Sequence, residues 1–265
     1  MKEATRNYGR FVEAVEALSN PPGLVVETVG HVDGYPLLCC RLLYRLESGD
    51  ARRRILLAAG THGDEPASPA AALQFLRQNR RWPLGDSRCL VLPCINPYGY
   101  AHKTRENREG RDINRSFAGD STPESALVKE LVVGESFDLL IDLHEDWEHA
   151  GYYLWEGAPN YQSGGEPGRV SGIGAEIVRR IATFGPVYSA ATLDGYPITA
   201  GVICAEEAER DYQRKGVMSL LTYGLHELTD HGITSETPTQ WKLADRVSAQ
   251  LALLDVALKF PRAGV

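Results

Sequence analysis

The sequence predicts a single α/β domain spanning residues 1–265, built on a mixed and mostly parallel twisted β-sheet flanked by helices. Three observations lead there. Apolar runs of strand length recur along the chain, they alternate with stretches of helical periodicity, and no internal repeat or low-complexity tract divides them. The first element is a helix with Phe11, Val12, Val15 and Leu18 on one face, stopped by Ser19-Asn20-Pro21-Pro22-Gly23. Two strands follow, LVVETVGHV and YPLLCCRLLYRL, and Asp33-Gly34 between them is a hairpin signal. RRILLAAG, RCLVLPCINP and FDLLIDLHED read as continuously apolar strands buried on both faces, the mark of a sheet whose centre is parallel. A helix begins at about Glu65, after the first of these. Further on, NYQSGGEPGRVSGIG is a Gly- and Ser-rich loop too short to link domains, and a helix occupies about 172 to 184. A strand near HGITSE precedes a last helix with Val247, Leu251, Leu254 and Leu258 on one face.

Composition narrows the class of partner. The chain is 43% hydrophobic and 24% charged, enough apolar material for an ample core. Its net charge of -7 speaks against nucleic acid or an anionic membrane surface, since both attract a basic face. The N-terminus carries charges every few residues with no signal-type apolar core, and no run is long enough to span a bilayer, so cytoplasmic residence is expected. The five cysteines, at 39, 40, 89, 94 and 204, form no CxxC pair and read as small buried hydrophobes.

Polar residues gather at the ends of the predicted strands, where α/β sheets place their sites. His62 and Glu65 follow the strand ending near Gly60, Asn96 follows that ending near Ile95, and His144 ends the strand containing Leu140, Ile141 and Leu143. Two imidazoles and a carboxylate with an open fourth position make a catalytic zinc set. Each residue also has an ordinary use. Asp64 or Glu65 would stabilise a helix N-terminus, and a strand-end histidine is commonly a hydrogen-bonded surface group.

Other patterns lead nowhere. HELTDH is one residue too long for a helical zinc motif and sets His226 and His231 about 140° apart. SGIGAE lacks the third glycine of a dinucleotide loop, and GRVSG is no serine-hydrolase elbow. The stretch NPYGYAHKTRENREGRDINRSF holds Lys103 and arginines at 105, 108, 111 and 115, which by count alone is a solvated basic patch.

In order, His62-x-x-Glu65, Asn96-Pro-Tyr-Gly, Arg105-x-Asn107, Asp112-x-Asn114-Arg115-x-Phe117 and His144 resemble the motif set of the zinc metallocarboxypeptidase family, over about residues 55 to 240. The loop spacing is similar to that of the murein tripeptide amidase-like members. DLHED is similar to the succinylglutamate desuccinylase and aspartoacylase branch. The resemblance implies a zinc carboxypeptidase-like fold and one Zn²⁺ per chain on His62, Glu65 and His144, with Asp112 orienting an imidazole. It implies that Arg105 holds the developing oxyanion, that Asn114 and Arg115 bind a substrate carboxylate, and that Glu236 in HGITSETPT is the general base. A strand glutamate like Glu236 is otherwise most often simply exposed.

The family's substrate-closing tyrosine has no clear match, Tyr212 and Tyr223 being the candidates. Glu145, Asp146 and Glu148 are expected to make one side of the pocket acidic and to favour a substrate with an amino group as well as a carboxylate.

The expected activity is zinc-dependent hydrolysis of an amide next to a free carboxylate, in a small peptide or an acylated amino acid. The alternative is an aspartoacylase-like deacylase of N-acyl amino acids, which in the family carries a further C-terminal domain for which little chain remains after residue 260. A third reading, a non-catalytic binding protein, calls for a missing ligand or base, and every candidate position is filled.

Overall fold

The computed structural model describes residues 6–19, 23–43, 53–78, 87–157 and 172–259. Ten strands form one mixed sheet: β1 (Leu24–Val32), β2 (Tyr35–Leu43), β3 (Arg53–Ala59), β4 (Ser87–Leu92), β5 (Leu139–Asp146), β6 (Tyr153–Gly157), β7 (Thr192–Leu193), β8 (Tyr196–Thr199), β9 (Val202–Cys204) and β10 (Gly232–Pro238). Their order is β1-β2-β4-β3-β5-β10-β6-β9-β8-β7. The centre, β4-β3-β5-β10, is parallel as expected, with antiparallel pairings towards both edges.

Eight helices accompany it among the described residues: α1 (Tyr8–Glu16), α2 (Ala67–Arg77), α3 (Pro97–His102), α4 (Pro123–Val132), α5 (Gly172–Ile181), α6 (Ala205–Lys215), α7 (Leu220–Glu227) and α8 (Leu243–Lys259). The Asp33-Gly34 hairpin turn forms with φ of 53° and 82°, the conformation its two residue types favour. The stop at residues 20–22 and most of the loop from 160 to 174 lie outside the described residues.

Continuous apolar strands bury two faces, and side chains along each strand divide between two cores. Ile55, Leu57 and Ala59 of β3, with Leu139, Ile141 and Leu143 of β5, join the core that contains residues of α1, α2, α5 and α8. Leu56, Ala58 and Leu140 join the other, with Val128, Leu221 and Leu225 from α4 and α7. Asp142 and His144 alternate onto this second face, which is why polar chemistry can sit in a strand buried along its whole length.

The chain leaves β3 to build β4 on one side and returns to build β5 on the other. This reversal opens a crevice beyond the carboxyl ends of β3 and β5, the place where such sheets take ligands. Gly60, with φ of 65°, turns the chain out of β3 against Cys94. Three residues on, Gly63 packs directly on α3, and a Cβ there would lie 1.8 Å from the Gly99 carbonyl carbon. Arg6 ties the same point down by donating to the Gly63 carbonyl at 2.5 Å.

No rearrangement of a flexible side chain relieves a clash with backbone, so Gly63→Ala is expected to cost about 3 kcal/mol or more. Gly119→Ala, where a Cβ meets nothing within 4 Å, should stay within about 0.5 kcal/mol of the parent. Urea denaturation of both variants checks the contrast.

Candidate metal centre

The crevice is lined from two strand ends. His62 and Glu65 come from the loop after β3, and His144 comes from β5, all three buried. His62 Nδ1 lies 2.6 Å from Glu65 Oε1, His144 Nδ1 lies 2.9 Å from Glu65 Oε2, and the two Nδ1 atoms are 3.1 Å apart. One ligand atom from each residue falls within a 4.8 Å cluster.

Behind the cluster, each ring presents Nε2 to a carboxylate. For His62 it is Asp112 Oδ1 at 3.1 Å, and for His144 it is Asp142 Oδ2 at 3.0 Å. A neutral imidazole that donates Nε2–H keeps a bare lone pair on Nδ1. Two such lone pairs then face each other across a carboxylate, an arrangement that repels itself unless a proton or a metal cation fills it. The residues therefore fit a divalent metal ion, with the carboxylate–histidine support that metal-binding imidazoles use.

The protonation energetics carry the same message. Burial opposes charge on His144, but Asp142 and Glu65 outweigh it and raise its pKa well above the ordinary value. His62 is raised as well, Glu65 and Asp112 overcoming its burial. Glu65 is itself buried, yet His62 and His144 hold its carboxyl well below the usual range. The pocket thus draws positive charge onto the positions that would hold a metal.

Asp112 connects this cluster to the arginine loop. It precedes the 3-10 turn Ile113–Arg115 and accepts from the Asn114 amide at 2.8 Å. Its Oδ2 accepts from Arg105 Nε and Nη2 at 3.3 and 3.1 Å, and Arg105 Nη1 reaches to 3.7 Å from Glu65. The loop is held from below. Asn96 caps α3 and donates to the Arg105 carbonyl, while Asn107 accepts from the amides of Glu109 and Arg111 and donates to buried Glu124 at 3.0 Å. The basic patch thereby divides. Arg108 and Arg111 turn outward to Asp33 and Asp120, and Arg105 turns in.

Asn114 is buried, and its Oδ1 accepts from the Leu220 amide at the start of α7. Arg115 donates to the Asn114 carbonyl at 2.9 Å and lies over the Tyr212 ring, 4.7 Å from its centroid. Tyr223, the other candidate for a closing tyrosine, packs on Phe117 instead.

Glu236 stands in β10 between His144 of β5 and Tyr153 of β6, opposite each in register. Side chains in register share a face, so the glutamate is aimed where His144 is aimed. Burial, with Glu65 and Asp146 adding to it against the pull of His144, pushes its carboxyl up to about 8.

The acidic wall expected from Glu145, Asp146 and Glu148 takes a different form. Glu145 alternates to the opposite face of β5, where it accepts from the Ala67 amide at the head of α2 and pairs with Arg246 of α8. Asp146 does share the His144 face, but it accepts from Tyr153 Oη at 3.0 Å and the Glu148 amide and pairs with His149. Glu148 is exposed. Strand alternation and local hydrogen bonding thus use up two of the three carboxylates.

Asp142 is the site residue that the sequence reading missed. Its signal was present in Asp142-Leu-His144, two residues apart on one strand and so on one face. The HELTDH histidines separate as their spacing requires, His226 meeting Gln213 and His231 meeting Glu156.

Residues 51–162 match the sequence model of the succinylglutamate desuccinylase/aspartoacylase catalytic domain, a span that includes every residue of the crevice described above from His62 to Tyr153. No curated protein matches the chain significantly. Solved structures share the fold. A Shewanella amazonensis protein described as a candidate metallopeptidase is 23% identical with a TM-score of 0.78, over 95% of this chain and 92% of that one. A similarly described protein from Shewanella baltica is 21% identical with a TM-score of 0.77, over 96% and 93%. A metallo-carboxypeptidase from Pseudomonas aeruginosa, solved with (2-guanidinoethylmercapto)succinic acid, is 17% identical with a TM-score of 0.60, over 94% and 68%. The chain thus carries, across residues 51–162, the catalytic-domain pattern of the succinylglutamate desuccinylase/aspartoacylase family on a fold shared with metallopeptidases and metallocarboxypeptidases.

Proposed function

We propose that this protein is a zinc-dependent hydrolase of the carboxypeptidase type, cleaving an amide bond next to a free carboxylate in a small peptide or an acylated amino acid. The observation that carries this reading is the convergence of His62 Nδ1, His144 Nδ1 and a Glu65 carboxylate oxygen, with Asp112 and Asp142 behind the two rings. The whole chain, 1–265, acts as one catalytic domain in the cytoplasm. Its cysteines, free and mostly buried, suit a reducing compartment, and no helix of the described residues is long and apolar enough to cross a membrane.

His62, Glu65 and His144 would hold one Zn²⁺, chosen over harder cations because imidazole is a borderline-soft ligand. When bound, zinc supplies a Lewis acid and makes water a nucleophile near neutral pH. The remaining roles fall to this chain's own groups. Asn114 and Arg115 take the substrate carboxylate, a planar guanidinium gripping it through two N–H groups. Arg105 is pre-set by Asp112 and lies close enough to Glu65 to hold the oxyanion that develops at the scissile carbonyl. Glu236 takes a proton from the attacking water and delivers it to the leaving amine. A carboxyl that burial inclines to accept a proton is suited to that exchange.

The match to the desuccinylase/aspartoacylase domain favours a second reading, deacylation of N-acyl amino acids with the same residues. Both readings need a carboxylate beside the cleaved bond, and the succinic acid derivative bound by the Pseudomonas aeruginosa enzyme is a ligand of that chemistry.

Protein purified without chelator should contain about one zinc per chain. Glu236→Gln should keep the metal and lose turnover by about 10²-fold or more, because a base is not a ligand. Folding without metal, or loss of metal from the glutamine variant, would overturn the assignment; elemental analysis beside kinetics decides. A panel of di- and tripeptides against N-acyl amino acids, read by amine release, separates the two enzymatic readings, and inactivity on both leaves a binding protein. The pH profile of kcat/KM should have an acid limb that Glu236 sets. The base works deprotonated, so activity rises with pH, through a midpoint below about 8 because the bound cation favours the carboxylate.

A further inference from the structure

We propose that Tyr212 is the residue that positions Arg115 for its anionic ligand, an inference that rests on the reading of Arg115 as a carboxylate-binding group. An arginine side chain has four rotatable bonds and grips a carboxylate well only when its plane and its free edge are fixed beforehand. Two contacts fix them here. Arg115 donates one Nη1 hydrogen to the Asn114 carbonyl, which sets one edge of the guanidinium, and the Tyr212 ring 4.7 Å from Cζ sets its plane. Neither contact uses the Nε–Nη2 edge, which is the edge assigned to the ligand.

The segment bearing Tyr212 is docked on the same turn through its backbone. Gly216, with φ of 66°, ends α6, and the Val217 amide donates back to the Tyr212 carbonyl. Phe117 donates to the Met218 carbonyl, Met218 donates to the Arg115 carbonyl, and Leu220 donates to Asn114 Oδ1. The end of α6 and the start of α7 are thereby registered against residues 114–117 within a few ångströms. A ring carried on that frame holds its place relative to Arg115 without touching the ligand. This separates Tyr212 from the closing tyrosine of the carboxypeptidases, which the sequence had suggested as its role.

The test uses succinate as the probe, with butanediamide as its uncharged counterpart, and calorimetry on the metal-loaded protein and on Tyr212→Leu, Tyr212→Phe and Arg115→Ala. Loss of the π face should weaken succinate binding by about 3- to 30-fold in Tyr212→Leu. Tyr212→Phe keeps the face and should stay within about twofold of the parent. Butanediamide binding should not change in either. Tyr212→Met, whose longer unbranched side chain reaches further, replaces the leucine variant if that one melts early.

Parental affinity in Tyr212→Leu or its methionine replacement would overturn the inference, as would equal damage in Tyr212→Phe or an equal loss for both probes. Arg115→Ala separates this from the reading beneath it. If Arg115→Ala weakens succinate and the Tyr212 variants do not, only the positioning role falls. If Arg115→Ala is indistinguishable from the parent, or the parent does not bind succinate, the carboxylate-binding reading falls and takes the inference with it.

Discussion

The structure depends on an electrostatic constraint: two imidazole lone pairs and one carboxylate are buried at close range with nothing anionic able to relax. His62 Nδ1 and His144 Nδ1 stand 3.1 Å apart, and Glu65 touches both. Buried groups of one polarity can be held together only by charge of the other, or by protonation that supplies it. Asp112 and Asp142 deepen the negative field from behind. The sheet makes this arrangement rigid. β3 and β5 are neighbours in the parallel centre, and the loop after β3 is seated on α3 without room for one extra carbon at Gly63.

Asp112 carries that constraint outward. One oxygen fixes the His62 ring and the turn at Asn114, and the other fixes Arg105. The His62 ring of the candidate metal cluster, the Arg105 guanidinium beside it and the turn that bears Arg115 are therefore registered through one carboxyl group. Because burial is outweighed by His62, Arg105 and Arg115, that carboxyl stays ionised well below the usual range and keeps its acceptor role throughout neutral pH. Buried Glu124, whose carboxyl burial instead pushes up, accepts from Asn107 on the loop that carries Arg105.

Much of this was legible in the sequence because its signals are local. β3, β4 and β5 are apolar runs with polar ends, and His62, Glu65 and His144 lie at or just beyond those ends as expected, while β10, GITSETP, is mostly polar and showed only as a short strand near HGITSE. The elements that escaped had weak patterns. α6 is built of AEEAERDYQRK, too polar to show an apolar stripe, and β7, β8 and β9 are two to four residues long. Asp142 was visible as a two-residue spacing but looked like part of an apolar strand. Glu145 was misjudged for the inverse reason. Adjacency to His144 suggested a shared pocket, whereas adjacent residues on a strand face opposite ways, and Glu145 serves α2 and Arg246 instead. Contacts such as Arg115 on Tyr212 join residues with no sequence relation, so no periodicity could have announced them.

Environment sets the two glutamates of the proposed site apart. Glu65 and Glu236 are the same side chain on the same side of the sheet, and burial raises both. For Glu65 the opposing force is two histidines in direct contact, each made more basic by its own aspartate, and they drive the carboxyl down. Glu236 feels those histidines at greater range and faces Glu65 and Asp146 as well, so its carboxyl moves up to about 8. A carboxylate that cannot be protonated near neutrality suits a metal ligand, and one that accepts a proton readily suits a base. The division follows from position alone. Glu65 shares a turn with His62, and Glu236 stands one strand away from His144, so the loop length after β3 and the register of β10 on β5 decide which carboxylate is which.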